Sequence, residues 1–169
     1  DSFVFNPHKW MLTNFDCSLY YVKDKNKLIK TLEINPEYLK SSEKKINNYK
    51  DWNLQLGRRF RALKLWFVIK SYGIEGIKTY LRNHLKLAEY LFKKIEKNED
   101  FEITCMKNIN MINFRLNPSL LNFKNKSLNI LNKKLLNNLN KTGKIYISHT
   151  VINGIYSIRM PIASTTIEK

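Results

Sequence analysis

A helical apolar pattern runs from Gly57 to about Asn98 and is broken once, at Tyr72-Gly73; it constrains this chain more than any other feature. Phe60, Leu63, Trp66, Phe67 and Ile69 fall on one stripe, with Arg58, Arg61 and Lys64 on the other side. A glycine just past the last periodic residue is a helix stop, so Gly73 separates this helix from a second one. The second runs from about Ile74 through Ile77, Tyr80, Leu81, His84, Leu87, Leu91 and Ile95. Everything else in the 169 residues is arranged before or after these two helices.

Before them, Ser2–Phe5 reads as a short strand that ends in a turn at Asn6-Pro7, with His8-Lys9-Trp10 at the turn. A second strand is expected at Ser18–Val22, closed by the polar Lys23-Asp24-Lys25-Asn26. Glu33 to Asn53 has no periodic apolar face and is expected to be a loop with a short helical piece at most; long loops inside compact proteins commonly carry function. After the helices, strands are expected at Phe101–Cys105, Met111–Leu116, Lys144–Ser148 and Tyr156–Met160. A helix from Leu128 to Leu139, stopped at Thr142-Gly143, stands between the two pairs. Two strands, a helix and two strands make a small α/β layer. The sequence opens directly on a strand and ends just after Ser164-Thr165-Thr166, a helix-capping signal, so it reads as a piece excised from a larger protein.

Composition removes several function classes. No run of about 18 uncharged apolar residues exists, so no membrane span is expected, and no basic lead with an apolar stretch marks a signal peptide. Cys17 and Cys105 are the only cysteines; they read as buried thiols in a reducing, cytoplasmic setting. Neither these nor His84 and His149 have metal-ligand spacing, so no metal is expected. The net charge of +16 points at first sight to nucleic acid. Lysine supplies most of it, however: Arg58, Arg59, Arg61, Arg82, Arg115 and Arg159 are the only arginines. Lys, Asn, Ile, Tyr and Phe enriched together are what AT-rich codons supply, whereas base readers lean on Arg, so no nucleic-acid partner is expected.

Lys9 is the residue with most chemical promise. A lysine at a strand-to-turn junction between bulky neighbours, if partly buried, would have its ammonium disfavoured and its neutral amine exposed as a nucleophile; taken alone, a surface lysine in a lysine-rich chain is the simpler reading. Asn6-Pro7-His8-Lys9-Trp10 followed by Asn14-Phe15-Asp16-Cys17 resembles the cofactor-lysine segment of the aromatic-L-amino-acid decarboxylases, group II pyridoxal-phosphate enzymes. Asn35-Pro36-Glu37-Tyr38-Leu39-Lys40 resembles that family's mobile catalytic loop. Tyr49-Lys50-Asp51-Trp52 and the run from Gly57 to Phe67 resemble its loop-to-helix signature. Ser148-His149-Thr150 and the segment from Gly154 to Arg159 resemble its last strands, most like the plant branch.

The resemblance implies fold type I of the pyridoxal-phosphate enzymes. Residues 1–63 would be the end of the large domain, and residues 64–169 the small C-terminal α/β domain, incomplete at both ends. It implies pyridoxal 5'-phosphate as cofactor, an aromatic L-amino acid as substrate and a homodimer with sites at the subunit interface. Lys9 matches the lysine that carries the cofactor; a primary amine can exchange one imine partner for another and an arginine cannot. Asn6 matches an asparagine that contacts the cofactor phosphate, and His8 a histidine beside the cofactor, although a plain turn residue orienting Lys9 accounts for His8 equally well. Tyr38 matches the loop tyrosine that returns a proton to the substrate carbon, a task a phenol performs without adding charge. Phe15, Trp10 and Gly57 match positions at the substrate end; Gly57 would leave room for a larger ring. Arg159 matches a last-strand arginine with no assigned role.

The family's carboxylate for the pyridine nitrogen, its ring-stacking histidine and most of its phosphate loop would lie upstream of Asp1. On this reading the chain alone neither holds the cofactor tightly nor decarboxylates. Two alternatives stay open: an aromatic aldehyde synthase of the same fold, against which Tyr38 argues, and a non-catalytic basic remnant that binds polyanions.

Overall fold

The computed structural model describes residues 1–34, 36–37, 47–105, 109–120 and 125–167. They form two compact units, Asp1–Ile77 and Lys78–Lys169. Tyr38 and most of the loop around it lie outside the described residues.

In the first unit β1 (Ser2–Phe5) pairs antiparallel with β2 (Leu19–Val22), with Ser2 opposite Val22 and Phe5 opposite Leu19. Both strands were expected. The turn after β1 is a single helical turn, α1 (Pro7–Trp10), with proline at its start, where its missing N–H and fixed φ cost nothing. The polar run closes β2 at Val22 as expected, and it also starts a helix that was not expected, α2 (Lys25–Leu32): Asp24 accepts from the N–H groups of Asn26 and Lys27 and so caps it. The short helical piece allowed for in the long loop is a 3-10 turn, Tyr49–Trp52.

The long helix, α3, spans Arg61–Glu96, starting four residues after Gly57. Gly73 stands at φ 67° and ψ 165°, non-helical and closed to side chains with a Cβ, so the span is two helices that meet at the expected stop. The stripe expected to be apolar on the first half of α3 is exposed in this chain: Phe60, Leu63, Trp66, Phe67 and Ile69 all face solvent.

The second unit is a four-stranded antiparallel sheet in the order β3-β4-β6-β5, from β3 (Phe101–Ile103), β4 (Met111–Leu116), β5 (Ser148–Ile152) and β6 (Ile155–Pro161). Helix α4 (Asn125–Lys141) lies between β4 and β5 in sequence. Ile112 and Phe114 of β4, Tyr156 and Ile158 of β6, Leu136 of α4 and Ala88 and Ile95 of α3 form one buried cluster. At its margin Asn132, fully buried, accepts from the Leu116 N–H at 2.9 Å and donates to the Leu128 carbonyl at 2.9 Å. Its side chain thereby joins α4 to the end of β4.

Two expectations need correction here. β5 is not Lys144–Ser148: Ile147 instead exchanges two 2.9 Å hydrogen bonds with the Asn140 side chain, and the strand begins at Ser148. It turns into β6 through Asn153-Gly154, both at positive φ, the pairing that tight hairpins favour. Cys105 is exposed, because β3 ends at Ile103; Cys17 is buried. Among the described residues no helix is long and apolar enough to cross a membrane.

Candidate active site

The turn after β1 brings Asn6, His8, Lys9 and Trp10 together, and the loop from Thr13 to Ser18 packs back onto it. Pro7 is buried and anchors the turn. The backbone closes on itself: the Lys9 N–H donates to the Asn6 carbonyl at 2.9 Å and the Met11 N–H to that of Pro7 at 3.0 Å. His8 joins the turn to the returning loop. Its Nδ1 lies 2.7 Å from the Cys17 carbonyl oxygen and 3.1 Å from the Cys17 nitrogen, so either tautomer engages residue 17. The His8 N–H donates to the same carbonyl at 3.4 Å. Asn6 accepts from the Ser18 hydroxyl at 2.5 Å through Oδ1, which leaves the amide N–H bonds as its donating end.

Lys9 is exposed, as a lysine taken alone would be, so burial does not disfavour its ammonium in this chain. Phe15 is 82% exposed, with its ring edge-on to His8 at 4.9 Å between centroids. Gly57 is exposed with open space around its α-carbon, and no positive φ requires glycine there. Tyr38 lies outside the described residues. The first unit therefore brings Asn6, His8, Lys9, Trp10 and Phe15 to one strand-to-turn junction.

Charge patterning alone did not single out the groups that secure this junction. Asp16 binds two arginines: Arg61 donates from Nε to Oδ2 at 2.8 Å, and Arg59 donates to Oδ1. The hydrogen bond from Arg61 holds the Asp16 carboxyl below the usual carboxylate range, and the charges of both arginines act in the same direction. Both motif segments were visible in the sequence, but periodicity does not report a pairing between residues more than forty positions apart.

Elsewhere the histidines have structural surroundings. His84 is buried, with Nε2 3.1 Å from the Ser164 carbonyl and its ring 4.2 Å from that of Tyr80; burial pushes its pKa down. His149 stacks on Tyr156 at 4.6 Å. Arg159 donates from Nη1 to the Ser148 hydroxyl at 3.4 Å across the β5–β6 pair. Among the described residues no group of three His, Cys, Asp or Glu side chains is placed to hold a metal.

Residues 1–117 match the family model described as pyridoxal-dependent decarboxylase conserved domain. The chain is 44% identical over 170 residues to tyrosine decarboxylase 3 of Petroselinum crispum, covering 98% of this chain and 33% of that protein. It is 43% identical over 172 residues to phenylacetaldehyde synthase of Arabidopsis thaliana, covering 100% of this chain and 35% of that protein. A crystal structure of Oryza sativa TDC with PLP and tryptamine superposes with a TM-score of 0.92 at 34% identity, over 99% of this chain and 35% of that one. The chain thus spans about a third of the length of the curated relatives it matches. Its architecture is that part of fold type I seen in these pyridoxal-phosphate enzymes. With the lysine-bearing turn inside the matched region, the chain belongs to the pyridoxal-dependent decarboxylase family, among the aromatic-L-amino-acid decarboxylases.

Proposed function

We propose that this chain is the cofactor-lysine segment and small domain of a cytosolic, homodimeric enzyme that decarboxylates aromatic L-amino acids to aromatic amines. Residues 1–63 would end its large domain and residues 64–169 form the small one. The observation that carries the reading is the family match over residues 1–117, which takes in Lys9 on its backbone-closed turn.

The donor set suits pyridoxal phosphate. Lys9 offers an amine, Asn6 offers amide N–H donors to an anion, and His8 is fixed beside them by Cys17. When bound, the cofactor supplies an aldehyde for an amine and a sink for the electrons left by a departing carboxylate. Lys9 would hold it through its amine, Asn6 would donate to its phosphate, and His8 keeps the turn in place. Tyr38 delivers a proton to the substrate carbon, while Phe15, Trp10 and Gly57 shape the room for its ring. Asp16 is engaged by Arg59 and Arg61, and the resemblance places the carboxylate for the ring nitrogen upstream of Asp1. That group belongs to the remainder of a longer protein, which is why the chain alone is expected to bind the cofactor weakly and to be inactive.

The test is CO₂ release from aromatic L-amino acids by the longer protein that carries this chain. Lys9→Ala should abolish the cofactor's protein-bound absorbance and lower the rate at least about a thousandfold, roughly 4 kcal/mol of barrier. An unchanged absorbance in Lys9→Ala would overturn the assignment. Similarity to a phenylacetaldehyde synthase makes product identity part of the test. Aldehyde, ammonia and peroxide released alongside CO₂ would identify an aldehyde synthase; with Tyr38 in place the amine is the expected product.

A further inference from the structure

Resting on that reading, we propose that Asp16 is a positioning residue: gripped by Arg59 and Arg61, it fixes the 14–17 segment on which the placement of His8 and Lys9 depends. Each Asp16 oxygen receives a separate guanidinium. The flanking residues are held by the same short stretch of chain. Lys64 donates to the Asn14 carbonyl at 3.1 Å, and the Cys17 thiol lies 3.9 Å from the Arg61 carbonyl. Residues 59–64 thus hold residues 14–17 at three neighbouring points. From Cys17 the linkage passes to His8 through both of its backbone groups, and Lys9 is the next residue. Phe15 sits between two held residues, so its exposed ring is presented rather than loose.

An ordinary surface ion pair contributes little and tolerates substitution. This one differs because the carboxylate is shared by two forks and lies in a series of contacts between segments distant in sequence. Its loss would free the 14–17 segment, and His8 with it, while the second unit keeps its own core.

The two cysteines supply the measurement. In this chain a maleimide reagent reaches exposed Cys105 directly, whereas Cys17 is buried and labels only when its segment opens. Asp16→Asn should raise the Cys17 labelling rate on the order of tenfold with the Cys105 rate unchanged, and Asp16→Glu, which keeps the charge, should recover most of the protection. Arg61→Lys, a milder change that keeps the positive charge and loses the fork, should fall between wild type and Asp16→Asn. In the longer protein, pyridoxal phosphate fixed by borohydride reduction and located by peptide mapping should show a several-fold smaller share on Lys9 in Asp16→Asn and recovery in Asp16→Glu. Equal Cys17 rates across these variants would overturn the proposal. A Cys17 that opens in Asp16→Asn while wild-type Lys9 takes no more label than other lysines would overturn the cofactor reading and leave the clamp standing.

Discussion

The two units distribute their apolar residues in opposite ways. Lys78–Lys169 buries a set drawn from α3, β4, α4 and β6: Ile112, Phe114, Tyr156, Ile158, Leu136, Ala88 and Ile95. Asp1–Ile77 buries little beyond Pro7, Thr13, Cys17 and Ile77, and leaves Phe3, Tyr20, Tyr21, Phe60, Trp66 and Phe67 in solvent. Yet the second unit contains none of the residues assigned a chemical role. The first contains every described one, from Asn6 to Gly57. The residues assigned a role in the proposed reaction thus lie in the unit that buries less apolar surface, whereas the other unit closes its own core. The contrast is one of completeness, and it can be tested by substitution in each unit.

The largest effect is expected in the second unit. Ile158 is fully buried in β6, between β4 and β5. Ile158→Ala removes three methyl-sized groups from a closed cluster and should cost about 2–5 kcal/mol. Amide exchange of Met111–Leu116 under increasing denaturant would read this directly. A loss below about 1 kcal/mol would mean that this core is loosely packed and that the contrast between units is overstated.

Acid should act on the second unit through His84. Burial lowers its pKa in the folded chain relative to an ordinary histidine, so the unfolded state takes up the proton first. The stability it contributes is fully present above the ordinary histidine range. It declines as pH falls below about 6.5 and levels off once the folded form is protonated too. His84→Gln, which keeps a side-chain donor, should flatten that part of a stability–pH curve measured on the second unit's amides. A curve that keeps its slope in the variant would assign the proton elsewhere.

How far the sequence revealed all this depended on where the determining interaction lay along the chain. β1, β4 and β6 were legible because short apolar runs ended at local turn residues. The break at Gly73 was legible because a single residue carries it. α2 was missed because Asp24 was read as the end of a strand, although an aspartate with two free N–H groups ahead of it is also a cap. β5 was displaced because Lys144–Ile147 does not join the sheet; the Asn140 side chain satisfies Ile147 instead. The hairpin signal Asn153-Gly154 was in the sequence and would have placed the strand correctly. At the candidate site, Lys9 and its neighbours were found through a family resemblance. Its exposure is what the residue alone predicts in a lysine-rich chain. The Asp16 clamp was invisible, since nothing local connects residue 16 to residues 59 and 61.

The smallest expected effect belongs to the first unit, and it is the sharpest check on the contrast. Phe67 is 57% exposed and touches Trp66 edge-on at 5.2 Å between centroids. In this chain Phe67→Ser gives up little buried area, so its stability should change by no more than about 0.5 kcal/mol. Removing an exposed aromatic should also reduce association at high concentration, because Trp66 and Phe67 are exposed side by side. In a longer, dimeric protein that covers the stripe, the same substitution should cost about 1.5–3 kcal/mol, the value of burying such a side chain. Paired denaturation curves on the short and long forms measure the difference. Equal small costs would show that the stripe stays in water in both forms. A large cost in the short chain alone would show that residues 60–69 already pack in solution, and the first unit would then be as complete as the second.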